Sequence, residues 1–472
     1  MSSTTTGQER LRLRRNALSL RHIIASTLAN IAPAMSFFFG FAVIVEGAGL
    51  AAPLTILAAM VAILFLTNTL AEFTRLTPST GSFVTFTGKA FGPAFGAAIS
   101  VFVTFGYIIA ASTVVAIAGA WASSTLQEFL GVSIPWAALT VIISVVVGWL
   151  VMRGVTLSTL WAGIFFYFEA ALLVLGAILM IAAHPDDISV APFNPANLTG
   201  GWAGLGAGFP LAIYLFIGWE NSTMLAEETE DPRRNIPRAL ITGTLAIGVF
   251  YVLLAFATAV GFRMNAKAIS GASIPFLDAL KDASPGLLIV AYIAGITSIL
   301  SSLIGLVNSQ ARILFNSGRE ELLPRFFGKI HPQHQTPHAA MWAFLIIALA
   351  LVLGFGLLGQ VAPLEYFGFA GTLGAIPIIV TYMFTNLALP VYVLKHKRSD
   401  LKVTAHIVLP VLGTLALLLP LWGLVQPGQA WPFNAFPWVA LGALVVAGVY
   451  GVVLARRSPG LAHRIGAYVA DE

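Results

Sequence analysis

The 472-residue sequence contains no cysteine and very little charge. The absence of cysteine excludes disulfides, thiolate metal sites, iron–sulfur clusters and cysteine nucleophiles. Asp, Glu, Lys and Arg together make up 10% of the residues, against about 25% in an average soluble domain. So few charges cannot cover the surfaces of the roughly three soluble domains that this length would otherwise suggest. Because 58% of the residues are hydrophobic, we expect much of the apolar surface to face lipid.

Long apolar runs account for most of the chain. A helix that crosses a bilayer needs about 20 predominantly apolar residues, and twelve segments are candidates. Spans 1 to 12 are residues 22–46, 50–74, 92–122, 133–152, 155–183, 202–226, 236–262, 286–316, 338–358, 364–394, 402–424 and 435–455. The polar, arginine-rich N-terminus and the length of span 1 do not fit a signal peptide.

Basic residues in the connections indicate the orientation. With an even number of spans both termini lie on one side, and 22 of the 25 Lys and Arg residues fall in the tails and loops of that side. Because cytoplasmic loops carry the excess of basic residues, the sequence predicts a multi-pass plasma-membrane protein with both termini in the cytoplasm. This distribution also explains the net charge of +5 without a nucleic-acid partner.

Spans 1 and 6 both carry residues that interrupt a helix. Pro33 lies near the middle of span 1, where it removes a backbone donor. Gly218 and Glu220 lie near the middle of span 6, and a glutamate at bilayer depth is costly unless it faces a cavity or a partner. The two interruptions lie five helices apart, so spans 1–5 and 6–10 are expected to form halves of opposite orientation. Paired broken helices of this kind point to a substrate site at the membrane midplane.

The predicted organisation therefore has five parts. They are a cytoplasmic basic tail (1–21), a first inverted repeat (22–183), a second inverted repeat (202–394), two further spans (402–455) and a cytoplasmic tail (456–472).

Three motifs resemble those of the amino acid–polyamine–organocation permeases. Residues 226–239 (Ala-Glu-Glu-Thr-Glu-Asp-Pro-Arg-Arg-Asn-Ile-Pro-Arg-Ala) are similar to the family's cytoplasmic signature after span 6. Residues 78–93 resemble its Pro-x-x-Gly-Gly loop and Phe-Gly-Pro after span 2, and residues 309–324 resemble its Ser-Arg-hydrophobic and Arg-Asp-Gly-x-Leu-Pro segment at the end of span 8. The resemblance implies an all-α LeuT-type fold of twelve helices with a 5+5 inverted repeat. It also implies alternating access and the import of an amino acid or a small amine.

The broken part of span 1 differs from that of many amino acid permeases. Those carry Gly-Ser/Ala-Gly, which binds the substrate carboxylate, whereas residues 32–36 here read Ala-Pro-Ala-Met-Ser. This segment resembles a subgroup with Ala-Pro in span 1 that includes putrescine-type importers. The difference shifts the expectation toward an amine and leaves both substrate classes open.

The candidate substrate-binding residues surround the two breaks. Glu220 comes first, because a buried carboxylate can pair with a substrate ammonium and, by resemblance, a family carboxylate at this place contacts or gates the substrate. Aromatic rings nearby can add cation–π contacts. The predicted set is Ala32, Pro33, Ala34, Met35, Ser36, Tyr107, Phe216, Gly218, Trp219 and Glu220.

Glu169 in span 5 is the candidate for ion coupling. No other charged residue lies within ten positions on either side, and an isolated carboxylate inside the membrane indicates function. By resemblance, proton-coupled family members carry a Lys near this point, so the charge sign is reversed here. Two interpretations stay open: Glu169 carries a proton, or it holds a sodium ion with the hydroxyls of Ser298, Ser301 and Ser302 in span 8.

The sequence thus predicts a secondary importer coupled to protons. Sodium-coupled or exchange transport and a non-transporting membrane sensor are the alternatives. Neither a cofactor nor a metal site is expected, because the eight histidines show no metal-ligand spacing. The sequence also lacks a P-loop and hydrolase motifs, so we expect a transporter of small molecules in the lipid bilayer and not an enzyme.

Overall fold

The computed structural model describes residues 13–458 and 460–467, with the side chains of residues 202–207 left out. The ends of both predicted tails, residues 1–12 and 468–472, lie outside the described residues. Within the described residues the chain is helical and has no β-strand, apart from two isolated bridges, Leu18 with Thr229 and Gly49 with Leu198. The all-α prediction is confirmed.

Ten helices of the described chain are long and apolar enough to cross a membrane. They are Leu20–Ala48, Ala52–Leu76, Pro93–Leu130, Val155–Ala183, Pro232–Gly261, Pro285–Arg319, His338–Leu358, Pro363–His396, Thr404–Val425 and Phe433–Arg457. They correspond to spans 1, 2, 3, 5 and 7–12. The protein is therefore a multi-pass membrane protein.

Spans 4 and 6 are shorter than the other ten. Span 4 is the apolar helix Trp136–Met152, which has 17 residues. Span 6 consists of two helices, Trp202–Tyr214 and Asn221–Met224, joined by turns over residues 215–220. Because each is shorter than the roughly 20 residues that a bilayer requires, the number of twelve spans stays a prediction.

Short helices lie in the connections between the spans. Phe83–Phe91 follows span 2, Ala266–Gly271 and Pro275–Ala283 lie between spans 7 and 8, and Leu461–Arg464 follows span 12. Span 3 extends to Leu130, past its predicted end at residue 122.

Burial separates the central helices from the peripheral ones. The most apolar part of span 3 is 78% buried and that of span 1 is 72% buried, whereas the corresponding part of span 12 is only 17% buried. Span 3 packs against spans 8 and 10, and span 1 packs against spans 5, 6, 7 and 8. The apolar side chains of spans 4, 9, 11 and 12 remain largely exposed, as expected for helices that face lipid.

Candidate functional site

The helix of span 1 is interrupted at Ala32. One helix, Leu20–Ile31, ends there, and a second, Pro33–Ala48, begins at the next residue. Ala32 adopts the left-handed conformation, with φ 53° and ψ 67°, which is strained for a residue that has a Cβ atom. Pro33 occupies the first position of the second helix, where its missing N–H leaves no intrahelical bond unmade. The interruption lies where the proline predicts it.

Three serines of span 8 bind the backbone around this break. The Ser298 hydroxyl accepts a hydrogen bond from the Met35 N–H at 3.2 Å. The Ser302 hydroxyl donates to the Asn30 carbonyl at 3.0 Å, and the Ser301 hydroxyl makes a longer contact of 3.4 Å to the carbonyl one residue earlier. The first two bonds satisfy an N–H and a carbonyl that the interrupted helix leaves without backbone partners, whereas the carbonyl that Ser301 contacts also accepts the Ala32 N–H. The structure therefore brings the three predicted serines to the break.

Asn30 joins spans 1, 6 and 8, and sequence reasoning missed it. Its amide nitrogen donates to the Gly218 carbonyl at 3.2 Å. A Cβ atom at Gly218 would lie 2.7 Å from this nitrogen, and one at Gly305 would lie 2.8 Å from the Cβ of Asn30. Two glycines thus let two helices approach the same amide closely. Asn30 could have been identified from the sequence by its position two residues before the break at Ala32.

Glu220 is fully buried where span 6 is unwound. One carboxylate oxygen accepts a hydrogen bond from the Tyr107 hydroxyl of span 3 at 2.6 Å. The other accepts from the Gly218 N–H at 3.0 Å. Both oxygens therefore already have a donor, and the carboxylate ties the span 6 turn to span 3. A direct contact between Glu220 and a substrate ammonium stays a prediction.

The aromatic candidates pack against other aromatic rings. The Trp219 ring meets the edge of Tyr382, with centroids 6.0 Å apart. Phe216 meets Tyr251 in the same manner at 5.7 Å, and Tyr251 stacks on Phe37. Trp219 and Phe216 are both almost fully buried. Their contacts stabilise the unwound segment from within the protein.

Two cavities lie beside the breaks. The larger, of about 130 Å³, lies between the second helix of span 1, the first helix of span 6 and span 10. Its lining is mainly apolar and includes Phe39, Leu211, Ile213, Tyr214, Ile217 and Phe367. The smaller, of about 50 Å³, reaches spans 3 and 8 and includes Asn30, Met35, Gly218, Ser302 and Gln310. Among the side chains that the structure describes, no acidic or basic one lines either cavity.

The predicted substrate residues divide into two groups. Met35, Ser36 and Gly218 line one or both cavities. Seven others are buried and line neither: Ala32, Pro33, Ala34, Tyr107, Phe216, Trp219 and Glu220. Tyr214, Ile217 and Gln310 line a cavity and were missed, because neither hydropathy nor the motifs distinguish them from packing residues.

Glu169 faces the span 1 break from span 5. It is fully buried, and neither carboxylate oxygen has a hydrogen-bond partner among the described residues. The Ser298 hydroxyl and the Ala34 N–H interact with it at longer range. This N–H belongs to the first turn of Pro33–Ala48, and such a helix start favours a negative charge. Glu169 and Ser298, which the sodium interpretation groups together, therefore lie at one place.

Buried ion pairs connect the two motifs that follow spans 6 and 8. The Arg312 Nε donates to Glu228 at 2.6 Å, and Arg319 forms a bidentate pair with Glu227. All four side chains are buried. Burial raises the pKa of the Glu228 carboxyl, and the neighbouring Arg312 opposes this shift. The pairs hold the ends of spans 6 and 8 together, although the motifs alone did not indicate which residues pair.

Comparison with known proteins identifies relatives over most of the chain. The family model "Amino acid permease" matches residues 18–454. The methylthioribose transporter of Bacillus subtilis is 28% identical, over 79% of this chain and 80% of that protein. The branched-chain amino acid permease BcaP of Lactococcus lactis is 27% identical, over 78% of this chain and 81% of its own length. BcaP of Bacillus subtilis is 24% identical over 94% of both chains.

Proposed function

The chain belongs to the amino acid permease family, and from this premise we propose that it imports an amino acid with an apolar side chain by alternating access. A permease of this family is a membrane transporter of small molecules and not an enzyme, so those two expectations are confirmed. The Ala-Pro subgroup, the plasma membrane and the cytoplasmic position of both termini remain part of the proposal.

The proposed moving parts are two inverted halves, residues 22–183 and 202–394, with the unwound segments of spans 1 and 6 between them. Each half contributes one interrupted helix, at Ala32 and at residues 215–220. Interrupted helices expose backbone N–H and carbonyl groups that can bind the charged ends of a substrate. Rocking of one group of helices against the other would open the cavities to each side of the membrane in turn.

The lining of the cavities supports an amino acid over a polyamine. A polyamine carries two or more positive charges, and a buried charge needs a partner of opposite sign. The described lining offers no carboxylate, while Glu220 is already bonded to Tyr107 and Gly218. A zwitterion can instead bind those backbone groups of the unwound segments that are not already bonded, with its side chain among Phe39, Leu211 and their apolar neighbours. Two relatives are named as branched-chain amino acid permeases, which agrees with this substrate class.

Coupling to protons is proposed from the unpartnered carboxylate of Glu169, the observation that carries this part of the proposal. A buried carboxylate without a group of opposite charge beside it is costly as an anion, so a proton or a cation would stabilise it. The Ser298 hydroxyl already accepts the Met35 N–H at 3.2 Å, so its oxygen is less free to coordinate a cation, which supports a proton over sodium. In the proposed cycle Glu169 takes up a proton with the substrate and releases it on the cytoplasmic side.

Uptake into proteoliposomes tests both parts of the proposal. Labelled leucine, valine, putrescine and methylthioribose are offered under an imposed pH gradient or an imposed sodium gradient. We expect accumulation of the apolar amino acids driven by the pH gradient. Accumulation of putrescine alone would refute the substrate class, and uptake that requires sodium and ignores the pH gradient would refute proton coupling.

A pair of variants isolates Glu169. Glu169→Gln is expected to bind substrate but to lose gradient-driven accumulation, because the amide cannot carry the proton. Glu46→Gln is the control, since Glu46 lies exposed in the second helix of span 1 and should transport normally. If Glu169→Gln accumulates substrate as the control does, the residue has a structural role only.

A further inference from the structure

A separate cavity of about 350 Å³ lies on the side of the protein that carries most of the basic residues. Four chain segments that the topology predicts on that side meet there: the N-terminal tail, the turn between spans 4 and 5, the segment after span 6 and the loop after span 8. The lining includes Arg14, Arg153, Thr156, Leu157, Leu160 and Glu228. It shares no residue with the cavities at the breaks.

The electrostatic character of this cavity is positive. Neither Arg14 nor Arg153 has a carboxylate partner within the described part of the chain, and the Arg153 guanidinium lies 4.5 Å above the ring of Trp149. Glu228 is the acidic residue in the lining, and Arg312 already neutralises it through a contact of 2.6 Å. Two guanidinium groups therefore remain for a ligand, and arginine is well suited to bind phosphate oxygens.

The start of span 5 adds backbone donors to the two arginines. The 29-residue helix Val155–Ala183 follows Gly154, and its first N–H groups have no intrahelical partner. Gly154, Val155 and Leu157 all line the cavity, so the start of this helix forms part of its wall. Thr156 adds a hydroxyl at the same place. Such a helix start favours an anionic group.

An apolar strip leads from this cavity along span 5. Leu157 is 41% exposed, Leu160 is 49% exposed and Ile164, about one turn further on, is 47% exposed. Trp149 and Trp161 are also exposed beside it, as is common where a protein crosses the membrane–water boundary. A free phosphate ion would make no use of this strip, whereas the acyl chain of a lipid would cover it.

We propose that this cavity binds the phosphate headgroup of an anionic phospholipid. Arg14, Arg153 and the first N–H groups of span 5 contact the phosphate, and an acyl chain lies along Leu157 and Leu160. Basic pockets between helices on this side of a membrane protein are suited to such headgroups. The bound lipid would connect the N-terminal tail to the start of span 5, the helix that carries Glu169.

Native mass spectrometry of the purified full-length protein tests this site. Phosphatidylglycerol and phosphatidylcholine are titrated separately, and we expect preferential retention of the anionic lipid. Arg14→Ala/Arg153→Ala should weaken phosphatidylglycerol binding by roughly thirtyfold, from the usual contribution of a basic residue near an anionic surface. Because both arginines lie on the surface, the variant should fold, which its melting temperature verifies. Each single variant is measured as well and should lose part of the binding.

Two comparisons keep the test specific. Arg456→Ala/Arg457→Ala removes the same charge from the end of span 12 and should leave phosphatidylglycerol binding unchanged. Inorganic phosphate is added as a competitor and should not displace the lipid. Equal loss in both double variants, equal binding of the two lipids, or displacement by inorganic phosphate would each overturn the proposal. None of these outcomes depends on which substrate is transported.

Discussion

Glu320 should make the stability of the protein depend on pH. This residue directly follows the span 8 helix and is 1% exposed. Its Oε1 accepts the Gly466 N–H at 2.8 Å, and its Oε2 has no partner among the described residues. Burial raises the pKa of the Glu320 carboxyl from 4.5 to about 7, with Arg319 opposing the shift. The ionised form is therefore disfavoured in the folded protein.

The direction of the effect follows from proton linkage. Between pH 4.5 and about 7 the folded protein keeps a proton that the unfolded chain has lost, so stability falls as the pH rises through this range. Below pH 4.5 the full stability is present, and above pH 7 the loss is complete. At about 1.36 kcal/mol per pH unit, the rise in the pKa from 4.5 to about 7 lowers the free energy of unfolding by roughly 3 kcal/mol at high pH.

Glu320→Gln tests this reasoning, because the amide keeps an oxygen for the Gly466 N–H and removes the charge. We expect the variant to be about 3 kcal/mol more stable than wild type at pH 8 and equally stable near pH 4.5. The measurement is the free energy of unfolding in detergent across this range, followed by tryptophan fluorescence. Glu46→Gln controls for the substitution itself at an exposed site. A difference that does not change with pH, or a wild type that is more stable at pH 8, would refute the reasoning.

Three further substitutions probe the breaks and the ion pairs. Gly218→Ala should cost about 1–3 kcal/mol of stability and abolish uptake. The reason is that φ at this position is +108° and the new Cβ atom would lie 2.7 Å from the Asn30 amide nitrogen. Normal transport by the variant would show that the turn tolerates a side chain. Tyr107→Phe should cost about 1.5–3 kcal/mol by removing a bond to a carboxylate, against about 0.5–1.5 kcal/mol for Tyr366→Phe. Among the described residues, the hydroxyl of Tyr366 bonds the neutral hydroxyl of Ser112, so equal losses in thermal unfolding would contradict the comparison. Arg312→Met leaves a buried carboxylate alone and should cost about 3–5 kcal/mol in denaturant unfolding; a loss below 1 kcal/mol would show that the pair is dispensable.

The sequence predicts local features of this protein well because they depend on a few residues close together. Apolar runs locate the membrane helices, and Pro33 locates the break in span 1 because a proline cannot continue the preceding hydrogen bonds. The burial of Glu169 follows in the same direct way from its isolation in an apolar segment. These inferences need no knowledge of which helices are neighbours.

The sequence does not show which side chains form hydrogen bonds or ion pairs with residues far away along the chain. Asn30 binds Gly218, which lies 188 positions away, and Glu220 binds Tyr107 at a separation of 113 positions. Tyr107 and Glu220 were both predicted, but as separate substrate contacts and not as partners of each other. The partner of Glu228 was likewise not predictable, because Arg312, Arg319 and Arg325 all lie near the end of span 8 and only packing selects Arg312.

Counterflow tests most directly whether the protein transports its substrate by alternating access. Proteoliposomes are loaded with unlabelled leucine, and a trace of labelled leucine is added outside without any ion gradient. We expect label to accumulate transiently inside, because each site that releases unlabelled substrate outside returns carrying labelled substrate. Saturable binding of leucine to the purified protein without any entry of label would contradict transport by alternating access and identify the protein as a receptor that does not transport.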